Sequence, residues 1–197
     1  RDSIMAYKQH FIEWFSGKSL PSYWTQTQSG TGTYEMADEV DGGFTIYPAS
    51  SNTNYSNINF NDIRQYAHNA SCFIITWKMA TFTGGASNIQ MQSGKTDWNT
   101  DLYGTRLWSA SDTHFELRSA DASTVSETAS DVVIDNNYHA WKFLIDGSDC
   151  KLTLDGVLKV TKTTNRPTVK LEPVCMAWNE NGNRDKIHIR YMECYNT

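Results

Sequence analysis

Two short segments of the chain alternate polar and apolar side chains in a pattern that could build a ligand-binding surface. Residues 88–92 alternate three amides with two apolar side chains, and residues 113–118 alternate ionisable groups with apolar ones. A period of two places alternate side chains on opposite faces of a β-strand. The polar candidates are Asn88, Gln90, Gln92, His114, Glu116 and Arg118. Amides and a guanidinium donate directional hydrogen bonds to sugar hydroxyls and carboxylates, whereas the alternative is a merely solvated sheet face.

A polar loop between these segments offers a second kind of chemistry. Trp98 and Tyr103 carry flat rings that suit the faces of sugar rings, although Trp98 could instead cap one end of the domain. Asp97 and Asp101 are weak candidates for a calcium site completed by backbone carbonyls. We therefore expect carbohydrate binding through Gln90, Gln92, Trp98, Tyr103, His114, Glu116 and Arg118, and no cofactor other than this calcium ion.

Other functional classes are disfavoured by the composition. The formal net charge of the 197-residue chain is −5, which gives no basic surface for a nucleic-acid backbone. No apolar run approaches the roughly 20 residues needed to cross a bilayer. The sequence contains no Ser-His-Asp or Cys-His pattern, phosphate loop or dinucleotide fingerprint. We expect a glycan or polysaccharide partner, no nucleic acid and no membrane span.

The elements that would position these residues are mostly strands. Residues 1–15 are the exception, because their apolar side chains follow the spacing of an amphipathic helix, which would pack on the domain or on a neighbouring molecule. From residue 72 onward, short alternating segments are separated by Gly, Asn and Asp, which indicates an antiparallel sandwich. The predicted strands are Thr33–Met36, Phe44–Tyr47, Cys72–Ala80, Asn88–Gln92, Gly104–Ser109, Thr113–Arg118 and Asp131–Ile134.

Several segments resemble a known superfamily. Residues 138–156 read as a strand with His-x-Trp near its start, a Gly turn and then Leu-x-Leu-Asp-Gly. Residues 15–25 are similar to the Phe-Ser-Gly opening of many secreted sandwich domains, and residues 174–195 to a closing hairpin. Together they resemble the concanavalin A-like and laminin-G-like jelly rolls. The resemblance implies an all-β, two-sheet antiparallel sandwich over residues 16–197, preceded by the N-terminal segment 1–15 with its short helix.

The cysteines and two asparagines are candidates for covalent modification. In this superfamily the strand beginning at Cys72 and the one ending at Cys194 often lie side by side, so a Cys72–Cys194 disulfide is an expectation, with four reduced thiols as the alternative. The cysteines show no Cys-x-x-Cys metal spacing. Asn54 and Asn69 begin weak N-glycosylation sequons.

Enzymes of the superfamily carry motifs that this sequence lacks. Its retaining glycosidases place carboxylates as Glu-x-Asp-x-x-Glu on one strand, and this pattern is absent. Its alginate lyases combine an Arg motif with a Gln-Ile-His motif, to which residues 116–118 and 89–90 are only partly similar, because the order is reversed and Met91 occupies the His position.

These observations predict a non-catalytic glycan-binding or adhesion domain, located outside the cell or on the surface of a cell or virus particle. Two alternatives remain. The first is a structural subunit of a virion, fibre or surface layer that self-associates through residues 1–15. The second is a polysaccharide lyase acting on uronates. The sequence thus favours binding over catalysis, with a lyase as the enzymatic option.

Overall fold

The computed structural model describes residues 10–36, 42–48, 51, 54–79, 85–93, 100–108, 111–122, 124–180 and 182–197. All regular elements in this part of the chain are strands. In chain order they are β1 (His10–Glu13), β2 (Thr25–Gln28), β3 (Thr33–Met36), β4 (Phe44–Tyr47), β5 (Tyr55–Asn59), β6 (Ala70–Met79), β7 (Ala86–Gln92), β8 (Leu102–Trp108), β9 (His114–Asp121), β10 (Thr124–Val133), β11 (His139–Asp146), β12 (Asp149–Leu154), β13 (Val157–Lys162), β14 (Glu172–Glu180), β15 (Asn183–Arg184) and β16 (Ile187–Asn196).

The strands form two antiparallel sheets that pack face to face. Sheet A has the order β13-β12-β11-β6-β16-β4-β3, with β1 also pairing with β16. Sheet B has the order β10-β9-β8-β7-β14-β5-β2, with β15 also pairing with β14. This arrangement confirms the predicted all-β sandwich. Among the described residues, no helix is long and apolar enough to cross a membrane.

The core lies between the two sheets and is rich in aromatic rings. Trp77 of β6 and Trp141 of β11 are 1% exposed, and their ring centroids are 5.5 Å apart. Phe73 and Phe143 lie directly opposite each other further along the same two strands, and their rings stack at 6.0 Å. Large rings on alternate positions of paired strands bury much apolar area, which is the main favourable term in folding.

The N-terminal segment differs from its prediction wherever the structure describes it. Residues 1–9 lie outside the described residues, and His10–Glu13 form strand β1 instead of continuing a helix. Phe11 and Phe15 are buried in the core at 5% and 1% exposure. Residues 10–15 are therefore part of the sandwich, because β1 pairs with β16 and Phe11 and Phe15 pack in the core, whereas Ile12 and Trp14 are exposed.

The predicted disulfide is wrong, although the two strands concerned are neighbours. Strands β6 and β16 pair antiparallel as expected, with Cys72 opposite Tyr195 and Cys194 opposite Phe73. This offset of one residue sends the two thiols to opposite faces of sheet A. All four cysteines are free and buried, and burial raises the pKa of the Cys72 thiol above its usual value.

Candidate active site

The outer face of sheet B, which points away from the core, carries the candidate site. Strand pairing places Glu127, Arg118, Gly104 and Gln90 side by side on β10, β9, β8 and β7. The intervening residues of these strands point into the core, as the buried Tyr103 does. Strands β7 and β9 are not neighbours as the sequence analysis assumed, because β8 lies between them.

Two glutamates and two arginines form a charged cluster on this face. One carboxylate oxygen of Glu127, Oε1, lies 3.0 Å from Nη2 of Arg106 and 3.1 Å from Nε of Arg118. Glu116 lies two residues from Arg118 along β9 and opposite Ala129 of β10. It is thus a diagonal neighbour of Glu127, a relation in which backbone positions are about 7–8 Å apart. We call Glu116 and Glu127 the carboxyl pair.

The two members of the carboxyl pair lie in different environments. Burial raises the pKa of Glu116 from its usual 4.5 to about 8, with further increases from Glu127 and Asp112 and opposing effects of Arg106 and Arg118. Glu116 is therefore largely protonated at neutral pH. Glu127, in contrast, is ion-paired with two guanidinium groups. A carboxyl with a raised pKa next to an ion-paired carboxylate is a common arrangement of an acid and its partner in catalysis.

Arg118 is the buried member of the cluster. Its side chain is 1% exposed, whereas the side chains of Arg106 and Glu127 are 27% and 32% exposed. Burial lowers the pKa of Arg118 to about 10, and Glu127 and Glu116 oppose this effect. The buried guanidinium of Arg118 fixes the carboxylate of Glu127 and supplies positive charge from below the surface.

An aromatic row lies beside the carboxyl pair on the same face. Pairing places Trp108 of β8 opposite Ala86 of β7, and Ala86 opposite Trp178 of β14, which in turn lies opposite Tyr55 of β5. The three rings are half-buried, and the centroids of Tyr55 and Trp178 are 6.3 Å apart. The guanidinium of Arg106 lies 5.3 Å from the ring of Trp108, so this row begins next to the charged cluster.

Gly104 occupies the centre of the site because no other residue fits there. Its φ is +153°, and a Cβ atom at this position would lie 2.3 Å from the carbonyl oxygen of Ile89 and 2.5 Å from Cα of Gln90. Contacts under 3.0 Å to backbone cannot be relieved by a side-chain rotation. The glycine therefore lets β8 approach β7 closely between Arg118 and Gln90.

The predicted amides lie on the expected face but are buried. Gln90 and Gln92 have 0% exposure, and Nε2 of Gln90 donates a short hydrogen bond to Oε1 of Gln92. Among the described residues, Oε1 of Gln90 and Oδ1 of the buried Asn88 have no hydrogen-bond partner. These amides form a buried polar layer next to the charged cluster, so the expectation that Gln90 and Gln92 bind a ligand directly is not met in this conformation.

His114 and Tyr103 separate in space. His114 is half-buried at the start of β9 on the same face as Glu116, and its Nδ1 lies 2.8 Å from Oγ1 of Thr113. Tyr103 is buried in the core, where its hydroxyl lies 3.0 Å from Oγ of Ser71. The expectation of a sugar-binding role for Tyr103 is therefore wrong, because the strand begins one residue before it and turns the ring inward.

The loop candidates for calcium do not form a site in the described part of the chain. Trp98 and Asp97 lie outside the described residues. Asp101 is buried, and its Oδ1 accepts hydrogen bonds from the backbone N–H of Thr168 and, at 2.9 Å, from its hydroxyl. No group of three metal-ligating side chains occurs among the described residues. Asp101 therefore has a structural role in fixing the segment that follows β13.

The two sequons lie in different surroundings. Asn69 is exposed just before β6, whereas Asn54 is half-buried and accepts a hydrogen bond of 3.2 Å from Oγ of Ser29. Attachment of a glycan at Asn54 would disturb this contact, so Asn69 is the better placed of the two candidates.

Several residues of the site were missed by the sequence analysis. Glu127 lies in β10, whose sequence TVSETASDVV has no apolar face before residue 130 and was therefore predicted as a strand only from Asp131. Arg106 and Trp108 were assigned to a strand, and their alternation with the buried Leu107 could have placed them on the polar face. The ion pairs of Glu127 join residues of β8, β9 and β10, so they could not be predicted from local sequence pattern.

Solved structures that share the fold cover nearly the whole chain. A β-glucanase from Bacillus licheniformis aligns with a TM-score of 0.68 at 17% sequence identity, over 95% of this chain and 98% of the other. A lichenase derived from a mouse hindgut metagenome gives 0.69 at 13% identity, over 95% and 98%. An endo-β-galactosidase from Clostridium perfringens gives 0.68 at 14% identity, over 96% and 63%. No family model and no curated protein matches the sequence.

These comparisons establish the concanavalin A-like jelly roll as the fold of the chain. They also overturn the functional expectation, since these three structures are named as a β-glucanase, a lichenase and an endo-β-galactosidase. A non-catalytic adhesion domain, a structural subunit of a virion and a uronate lyase were the wrong conclusions. The preference against catalysis rested in part on the missing Glu-x-Asp-x-x-Glu motif, whereas Glu116 and Glu127 lie on two different strands.

Proposed function

We propose that the chain is a glycan-cleaving enzyme that hydrolyses glycosidic bonds at the carboxyl pair on the outer face of sheet B. The single observation that carries the proposal is the pairing of Glu116, protonated at neutral pH, with the ion-paired Glu127. Glycoside hydrolysis commonly uses two carboxyl groups, one to protonate the leaving oxygen and one to act on the opposite side of the sugar.

The proposed mechanism assigns one role to each carboxyl. Glu116 donates its proton to the glycosidic oxygen as the bond to the leaving sugar breaks. Glu127 faces the positive charge that develops on the sugar ring, and acts either as the nucleophile or as the base that activates water. Arg106 and Arg118 hold Glu127 in place through their contacts with Oε1. The carboxyl separation distinguishes the two outcomes, at about 5–5.5 Å for retention and about 6.5–9.5 Å for inversion.

The aromatic row supports a polymeric substrate. Trp108, Trp178 and Tyr55 lie across three strands at one level, so sugar units stacked on them would extend across the sheet from the carboxyl pair. Aromatic rings bind sugar faces with little loss of side-chain entropy. The glucanase and galactosidase structures make β-linked glucans and galactans the first substrates to test.

The test is release of new reducing ends from mixed-linkage β-glucan, β-1,3-glucan and galactan. Positioned acid or base groups contribute about 10²–10⁴-fold to rate, so Glu116→Gln and Glu127→Gln should each lower turnover by that order. Glu35→Gln is the matched control, because Glu35 lies on sheet A and bonds only to the Tyr47 hydroxyl at 2.6 Å among its described contacts. Wild-type turnover by both site variants would refute the assignment.

Cellular location and assembly are further parts of the proposal. An enzyme that cleaves polysaccharide acts where the polymer is found, which supports a location outside the cell or at its surface. Self-association through the N-terminal segment 1–15 and indifference to nucleic acid remain expectations. Because Phe11 and Phe15 are buried, a truncation that tests the first should stop before residue 10. Light scattering of the chain with and without residues 1–9, and a titration with DNA, would test them directly.

A further inference from the structure

A buried lysine joins the two sheets directly behind the carboxyl pair. Strand β13 ends sheet A and β10 ends sheet B, and the two edges contact each other. Lys162 is the last residue of β13 and is only 6% exposed. It lies on the same side of its strand as Val160, which belongs to the core. A lysine is seldom buried to this degree unless its ammonium has polar partners.

The partners of Lys162 belong to a single residue of β10. Its Nζ donates a short hydrogen bond to the backbone carbonyl of Ser126 and a second one, at 2.9 Å, to Oγ of the same residue. Among the described residues, no carboxylate lies within 4.0 Å of this ammonium. The lysine therefore holds the backbone of β10 and not a counter-charge.

Ser126 precedes Glu127, so this contact fixes the strand next to the site. Successive residues of a strand point to opposite faces, which directs Ser126 toward Lys162 and Glu127 toward the outer face. Strand β10 pairs with β9 alone within sheet B, and this pairing loses its register between Ala129 and Val133. Glu127 itself lies in the continuous part of this ladder, opposite Arg118, but its strand is paired on one side only. Contacts on the unpaired side, such as that of Lys162, are therefore the further restraint on the position of β10.

We propose that Lys162 is the positioning residue that holds Glu127 against Arg106 and Arg118, by fastening β10 to the edge of the opposite sheet. The expected effect on turnover rests on the proposed function, whereas the expected effect on the position of Glu127 does not. A displacement of about 1 Å in a reacting group can reduce rate by about 100-fold. Loss of the lysine contact should therefore affect turnover far more than substrate binding.

The chain provides a matched control for this experiment. Lys159 also lies on β13 and also reaches β10, through a contact of 3.0 Å between its Nζ and Oδ1 of Asp131. That contact is at the surface, where ion pairs contribute little to stability. Asp131 is also four residues away from Glu127 along β10. Lys162→Met and Lys159→Met thus remove one lysine each from the same pair of strands, and only the first should disturb Glu127.

The first measurement does not need a substrate. The Nε–H of Arg118 lies 3.1 Å from Glu127 Oε1, so its ¹⁵N–¹H NMR signal reports whether Glu127 is in place. We expect this signal to move in both Lys162→Met and Glu127→Gln, and to stay at its wild-type position in Lys159→Met. An unmoved signal in folded Lys162→Met overturns the inference, whatever the fate of the proposed function.

The second measurement uses turnover. Lys162→Met should lower kcat by about tenfold or more with little change in KM, while Lys159→Met should match the wild type. Lys162→Arg keeps a cation that can donate to Ser126 and should restore part of kcat. If Lys162→Met does not fold, Ser126→Ala removes one of the two acceptors and should shift the Arg118 signal in the same direction. Equal kcat values in the two Met variants would count against the inference.

Discussion

At the residue scale, the site depends on how the surroundings divide the charge of Glu116 and Glu127. Both are glutamates on neighbouring strands, yet one is buried enough to keep its proton and the other is held by two guanidiniums. The sequence analysis identified Glu116 and Arg118 from strand alternation but treated them as hydrogen-bonding groups. Their protonation could not be predicted, because it depends on burial and on residues that are distant along the chain.

The raised pKa of Glu116 predicts a dependence of stability on pH that requires no substrate. The folded protein keeps this proton up to about pH 8, whereas the unfolded chain releases it near the usual 4.5. Stability is therefore lost as pH rises between these values, since the unfolded state ionises more readily. Glu116→Gln removes the effect, so its free energy of unfolding should decline less between pH 5 and pH 9 than that of the wild type. Urea denaturation at both pH values measures this difference, and parallel declines would contradict it.

At the scale of elements, local pattern predicted the strands with an apolar face and missed those without one. Strands β3 and β4 have the predicted bounds, Thr33–Met36 and Phe44–Tyr47. Strand β10 runs from Thr124 to Val133, and its polar first half gave no signal because an edge strand buries little on either side. The pairing register of two strands also could not be predicted from local sequence pattern. An offset of one residue places Cys72 and Cys194 on opposite faces of sheet A.

The close approach of β8 to β7 predicts that Gly104→Ala is more destabilising than an ordinary glycine substitution. The added methyl carbon would lie 2.3 Å from the backbone carbonyl oxygen of Ile89. The alanine would also have to adopt a φ of +153°. Gly147 is the control, because its φ is +57° but no atom lies within 4 Å of a Cβ there. We expect Gly147→Ala to cost about 1 kcal/mol and Gly104→Ala about 2–4 kcal/mol in chemical denaturation. Equal costs would show that the strands can separate freely.

At the scale of the whole molecule, the fold was predictable and the activity was not. Hairpin and turn signals near residues 138–156 point to a jelly roll, because alternation and Gly turns are local properties. The site assembles side chains from β8, β9 and β10 at one edge of sheet B, and its carboxyls do not form a motif on one strand. One fold supports binding and catalysis alike, so a missing motif was weak evidence against an enzyme.

The most direct test of the central claim is the dependence of Glu116→Gln activity on the leaving group. A general acid is needed to expel a sugar alcohol but not a dinitrophenolate, which leaves without protonation. The variant should therefore lose at least about 100-fold in kcat/KM on a β-glucan oligosaccharide or its galactan counterpart, and keep most of it on the matching dinitrophenyl glycoside. Equal losses on both substrates, or none on either, would contradict the assignment of Glu116 as the acid of a glycan-cleaving site.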